Sequence, residues 1–499
     1  MMKQLFFTTI FALIPSMLGA QSKTEPAIPA GFESFVDRVF KEWKLPAMAV
    51  TVVKDGKTVF VKGYGKTSLD AKGQPVDENT QFVIASCSKA FTAALLATVI
   101  DEGKVQWNDT VINHLPDFKL YDPWVTQNFL VRDIMVHKTG FRGNAADALP
   151  DFGYNRDELL RLYRHLKPTY SFRSTYAYNN GIFTTSAWLI EKYTGKSWDD
   201  ALIERIFTPL GMKNSTTGDK AFFSSPTLAR GNTLRKEADT LRLIPRLDFQ
   251  GAFDWLSAIA PAGFVVTTGA DIANWLKMLL NKGKFNGKQI ISERNFNYLF
   301  NPQTITGSDT VSLFNYAQGW TIEQGPKGRL IRHTGLAGGY TALVGLVPEQ
   351  NMGFAILTTN GTTNNPHYAI GRQLIDMYLG IHDKDWQKHY MDDYMRPAPP
   401  RTPPARTDSL PPLDKKSYAG TFDGGAFGDA RVYIQNDTLR FALKKVNSPL
   451  RHKSGNTFTF AVEGAGRFDL TFFVDEKTKK AVSLTFNIGD PIEEFKIKK

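Results

Sequence analysis

Seven prolines fall among the seventeen residues 396–412. Proline lacks a backbone N–H and has a fixed φ, so this density suits neither a helix interior nor a central strand. It favours an extended, polyproline-like connection. The stretch therefore divides the 499 residues into a long N-terminal body and a short C-terminal one. That suits the length, because single cores stop growing well below this size. The expected boundaries are a main domain over 30–381, a Pro-rich linker over 382–412 and a small domain over 413–499.

Hydrophobic patterning sets the class of each body. An amphipathic helix is predicted over 31–43. Alternating strands at 47–53 and 58–63 flank the turn Lys54-Asp55-Gly56-Lys57, a hairpin signal. Residues 88–102 are apolar on nearly every side and end at Gly103, which predicts a buried helix. Residues 125–300 read mostly as helices and loops, with helices at 184–193 and 271–280. Strands return at 319–323, 329–333, 341–348 and 352–358, and a closing helix is predicted over 363–380. Strands at both ends with helices between them predict an α+β domain whose one antiparallel sheet joins the two termini. Beyond the linker, short alternating runs at 418–422, 430–435, 439–443, 457–462, 468–474, 481–488 and 493–497 predict a small all-β barrel or sandwich.

The net charge of +11 comes from scattered residues. Its densest cluster, Lys477, Lys479 and Lys480, has no aromatic platform beside it, so no nucleic-acid partner is expected. Residues 1–20 read as a secretory signal: Lys3, an apolar run over 5–18, then Gly19-Ala20 before Gln21-Ser22. The run falls short of the roughly 20 residues that span a bilayer. An exported chain, periplasmic or secreted, with no integral membrane segment after cleavage is the expectation. The single cysteine, Cys87, has no partner within the chain.

Three short motifs carry chemistry. Ser86-Cys87-Ser88-Lys89 sits where a strand-like segment meets the buried helix. Its spacing puts Ser86 and Lys89 on one face, where a desolvated amine can take the hydroxyl proton. By itself the pattern is also that of a helix cap with a surface lysine. Tyr178-Asn179-Asn180 offers a phenol for proton transfer and an amide two residues on; an ordinary loop is its bland reading. His333-Thr334-Gly335 ends a strand before Leu336, where a glycine lets backbone approach a ligand and the histidine offers a donor whose charge follows pH. Lys138-Thr139-Gly140 matches the lysine form of the same motif but follows a helix-like run, so Gly140 reads as a helix stop. The eight histidines show no metal-ligand spacing, and no metal or cofactor is expected.

In their order and setting these motifs resemble the serine β-lactamase and penicillin-binding-protein superfamily, and within it the class C β-lactamase-like hydrolases and D-amino-acid-specific peptidases. The likeness extends over about 32–379, with Phe207-Thr208-Pro209-Leu210-Gly211-Met212, Pro261-Ala262-Gly263-Phe264 and Gln318-Gly319-Trp320 in agreement. The linker and barrel are similar to the lipocalin-like C-terminal domain of some of these peptidases. The resemblance implies that Ser86 is acylated, that Lys89 and Tyr178 move protons, and that Asn180 orients substrate. It also implies that His333, Thr334 and Gly335 bind near the substrate carboxylate, with the N–H groups of Ser86 and Leu336 as the oxyanion hole. A histidine where class C β-lactamases carry lysine favours a peptidase or esterase acting on a small peptide, amide or ester. A β-lactamase or D,D-carboxypeptidase taking a β-lactam-like substrate is the alternative, and a non-catalytic protein that senses cell-wall fragments is the reading from another class. The barrel itself could carry an apolar ligand or pack against the cleft.

Overall fold

Every side chain from Ala47 to Val53 is buried, and their alternation explains the architecture. Met48, Val50 and Val52 point into one core with Phe32, Trp43, Phe354 and Leu374. Ala47, Ala49 and Val53 point into the other with Phe91, Trp275 and Leu276. A strand buried on both faces must lie inside a sheet covered on both sides. This computed structural model describes residues 27–218, 225–237, 240–246, 249–397, 410–487 and 494–498. The expected signal segment and residues 398–409 of the expected linker lie outside them.

The main sheet has eight antiparallel strands in the order Thr304–Ser308, Leu313–Tyr316, Thr321–Gly325, Gly328–Ala337, Tyr340–Val347, Met352–Thr358, Ala47–Lys54 and Lys57–Gly65. The first hairpin thus closes on the last long strand, with Met48 opposite Thr358 and Val53 opposite Gly353. Helices Phe32–Glu42 and Asn365–Leu379 cover one face, and helix Gly269–Leu280 the other. The α+β expectation holds. One boundary differs: Trp386–Met395, inside the expected linker, is a helix. Its Tyr394 packs on Trp43 with ring centroids 5.3 Å apart, and the buried Gln387 accepts from the Trp43 indole at 2.8 Å. Residues 386–395 therefore pack as part of the main domain and are not an extended segment. No helix among the described residues is long and apolar enough to cross a membrane.

The C-terminal body is a nine-stranded, nearly closed antiparallel barrel. Its two end strands, Val446–Pro449 and Arg451–Ser454, are consecutive in the chain, and the Ala461 N–H donates to Ser448 across the gap at 3.1 Å. Phe422, Phe441, Phe460, Phe472, Phe486 and Phe495 fill the interior. The main domain adds a ring of its own. Phe152, at the end of the short helix Leu149–Phe152, is fully buried against Phe486 (5.8 Å, stacked) and Phe468 (5.9 Å). Tyr154 donates to the Phe427 carbonyl at 2.5 Å, and Lys444 and Lys445 pair with Glu158 and Asp254.

Candidate active site

Strand Gln81–Val83 runs into a tight turn, Ala85–Cys87, from which helix Ser88–Asp101 departs. Ala85 takes φ +45°, a left-handed conformation that costs a residue with a Cβ roughly 1–2 kcal/mol. Packing on both sides holds it. The Ser88 hydroxyl accepts from the Val265 N–H at 2.8 Å, and the Cys87 thiol donates to the His333 carbonyl at 3.1 Å. The turn presents Ser86, partly exposed, and directs Lys89 inward, fully buried.

The Lys89 amine bonds three oxygens: Ser86 Oγ at 3.3 Å, Asn180 Oδ1 at 2.7 Å and the Ala262 carbonyl at 2.8 Å. It also lies 4.7 Å from the centre of the Tyr178 ring and 5.3 Å from that of Phe183. No carboxylate touches it among the described residues. Burial brings its pKa down to about 7, against a smaller upward pull from Asp147, so a neutral amine is accessible near physiological pH. The Tyr178 hydroxyl is buried and has no hydrogen-bond partner among the described residues, although Ser86 lies near enough to favour its ionised form slightly. Burial raises its pKa well above the ordinary tyrosine value. The resting phenol is therefore protonated. His137 clamps this ring at 4.3 Å and accepts from the Asn179 N–H through Nδ1 at 3.2 Å.

Asn179 caps the short helix Asn180–Phe183 by accepting from the Ile182 N–H. That fixes Asn180, whose Nδ2 donates to Asp147 Oδ2 at 2.6 Å while its Oδ1 faces Lys89. Gly181 has to be glycine here, since a Cβ would lie 2.3 Å from the Tyr163 hydroxyl.

The third motif lies on strand Gly328–Ala337. Pairing with Thr321–Gly325 ends at Arg332, so residues 333–337 keep a ladder partner only in Tyr340–Val347. Their other edge meets the Ser86 turn so closely that a Cβ on Gly335 would sit 2.1 Å from the Ile84 carbonyl oxygen. Thr334 is half-buried, and Leu336, 49% exposed, lines the cavity beside Asn180. His333 corrects an expectation. Its Nδ1–H donates to the Thr334 carbonyl at 2.7 Å and its Nε2 accepts from the Tyr316 hydroxyl at 2.9 Å. Burial first, then the Lys89 charge, pushes its pKa down to about 3. The imidazole is neutral throughout the physiological range and both nitrogens are engaged, so it supplies neither a pH-dependent charge nor a spare donor. Lys138-Thr139-Gly140 lies on the helical side, where Gly140 takes φ +91°.

Five residues thus converge that the motifs placed far apart: Ser86, Lys89, Tyr178, Asn180 and His333. Three more went unrecognised in the sequence. His137 and Tyr316 hold the Tyr178 and His333 rings, and Asp147 holds Asn180. None lies in one of the three motifs. A cavity of about 490 Å³ opens on Asn180, Asp147 and Leu336, and Arg142, Asp151, Arg246 and Trp255 share its walls with Gly464, Ala465 and Phe468 of the barrel. The barrel thus forms part of the cavity wall.

The chain has relatives among known proteins. The chain is 29% identical over 398 residues to the unguisins hydrolase of Aspergillus campestris, covering 74% of this chain and 70% of that protein. It is 34% identical over 213 residues to the D-aminopeptidase of Brucella anthropi, covering 41% of this chain and 39% of that one. The octameric penicillin-binding protein homologue from Pyrococcus abyssi shares the fold, with a TM-score of 0.60 at 20% identity over 94% of this chain and 99% of that chain. The sequence pattern of the Beta-lactamase family matches residues 32–377. The chain belongs to that family and is one of its serine hydrolases.

Proposed function

We propose that the protein is an exported hydrolase that cleaves a small peptide, amide or ester through an acyl-enzyme on Ser86. One observation carries this reading: a fully buried lysine, bonded to no carboxylate among the described residues, is bonded to the hydroxyl of a partly exposed serine. A buried amine at about pKa 7 is costly to fold around, and it suits the role of proton acceptor near neutral pH. A pocket that only bound fragments would have no physical need for it.

In the reaction, Ser86 Oγ bonds to the substrate carbonyl carbon as its proton passes to neutral Lys89. The N–H groups of Ser86 and Leu336 stabilise the oxyanion. The leaving amine or alkoxide departs with a proton drawn from Lys89 or from the protonated Tyr178. Water then attacks the acyl-serine ester, its proton returning through the same groups, to release the acid and restore Ser86. Because Tyr178 is protonated at rest, Lys89 is the first acceptor in this scheme. The neutral His333 offers no cation to a substrate carboxylate, which favours peptidase or esterase activity over β-lactamase or D,D-carboxypeptidase activity.

The test is a substrate screen over D- and L-aminoacyl anilides, p-nitrophenyl esters and nitrocefin, with Ser86→Ala as control. Ser86-dependent turnover of amides or esters exceeding that of nitrocefin is expected. Turnover that survives in Ser86→Ala would refute the scheme.

A further inference from the structure

A second cavity, of about 650 Å³, is larger than the one beside Asn180 and shares no lining residue with it. It lies where helix Gly269–Leu280 ends, between helix Glu293–Leu299 and the main sheet. Strands Gly328–Ala337 and Tyr340–Val347 form its sheet wall, where Ile331 stands opposite Leu346 and both side chains turn to the same face. Together with Leu279 and Phe296, all four buried, they give the cavity an apolar floor. The volume falls within the roughly 300–1,000 Å³ typical of small-molecule sites.

The rim has one sign of charge. Lys282, Arg294 and Arg329 are the charged side chains in its wall, and all three are cations. Lys282 faces Glu293 at 3.3 Å and Arg329 faces Glu349 at 2.7 Å, but neither carboxylate lines the cavity. Arg294 is exposed and has no acidic partner among the described residues. A lone surface arginine is ordinarily just solvated. What sets Arg294 apart is the apolar floor beside it, which water cannot satisfy and an apolar chain can. Its planar fork of N–H donors matches a carboxylate. Floor and rim together therefore call for one molecule that is apolar along its length and anionic at its end.

We propose that this cavity is a binding site for an amphipathic anion, an alkyl chain ending in a carboxylate. The chain lies over Leu279, Phe296, Ile331 and Leu346, and the carboxylate pairs with Arg294. The site stands apart from the acyl-serine chemistry and does not depend on it. Burial of the chain supplies most of the affinity. The charged contact lies at an exposed rim, where salt screens it, so its share is about tenfold.

The experiment titrates the whole protein calorimetrically with decanoate, decanol and decyltrimethylammonium, three molecules with one chain and different heads. Saturable binding of a single decanoate is expected, about tenfold or more tighter than either of the others. Arg294→Glu, an exposed change that leaves the core untouched, should weaken decanoate about tenfold or more and leave decanol unchanged. A decanoate analogue with a photoreactive diazirine on its chain then locates the site, with adducts expected on peptides from 279–302 or 329–351. Absence of saturable binding, equal affinity for decanol, or indifference to Arg294→Glu would overturn the proposal. So would adducts confined to the barrel or to the walls of the Asn180 cavity, since the chain would then occupy another site.

Discussion

Lys89 sets the chemistry at the scale of single residues, and its protonation should be visible in the rate. Its folded pKa lies below the usual lysine value because burial disfavours the charge, so the competent neutral form grows as pH rises. The account predicts a kcat/KM that climbs with pH through about 7 and then levels. The apparent value belongs to the coupled Lys89 and Asp147 groups together. Asp147→Asn removes the charge that pulls Lys89 upward, so its acid limb should move to lower pH. His333, held down at about 3, should contribute no limb; a His333→Gln variant whose acid limb shifts would contradict the neutral assignment. Cys87 is a second residue-scale case. Buried, and with its thiol pushed up to about 12, it should resist thiol reagents at pH 8 in the native protein and react only in denaturant. Rapid labelling of the native chain would show the turn to be open.

At the scale of elements, the site depends on one crossing. Strand Gly328–Ala337 reaches the Ser86 turn only because Gly335 has no side chain, a Cβ there lying 2.1 Å from a carbonyl oxygen. Gly335→Ala must push strand and turn apart, and overpacking of this kind typically costs about 1–3 kcal/mol. The expected result is a lowered melting temperature and at least a roughly hundredfold loss of kcat, since misplacement by an ångström suffices for that. Near-wild-type kcat would contradict the crossing as drawn. Glycine at this position was legible in the sequence, as were the hairpin, the buried helix and the returning strands, because each leaves a periodic or turn signature. Asp147, His137 and Tyr316 were not. Their roles come from tertiary contacts with residues about 17 to 41 positions away, and no local pattern encodes such contacts. Helix Trp386–Met395 was hidden for a similar reason: proline density marks where a linker must be, not where the preceding helix ends.

For the whole molecule, the question is what the barrel does. Its interior is filled by phenylalanine rings, and Phe152 of the main domain is seated among them. From the same short helix the chain leads back in five residues to Asp147, while Gly464, Ala465 and Phe468 face the cavity from the other side. Docking of the barrel and the shape of the cavity wall are thus one packing problem. Truncating a fully buried phenylalanine costs about 3–5 kcal/mol. Phe152→Ala should therefore lower the unfolding midpoint in denaturant and weaken discrimination between substrates of different size. A cost below about 1 kcal/mol would mean that the ring does not anchor the barrel.

Acylation of one named hydroxyl underlies all of this, and it can be weighed directly. The intact protein, treated with a fluorophosphonate probe and then digested, should carry one probe mass on the peptide that contains Ser86, and Ser86→Ala should carry none. An adduct on another serine, or equal labelling of the alanine variant, would contradict the account at its root.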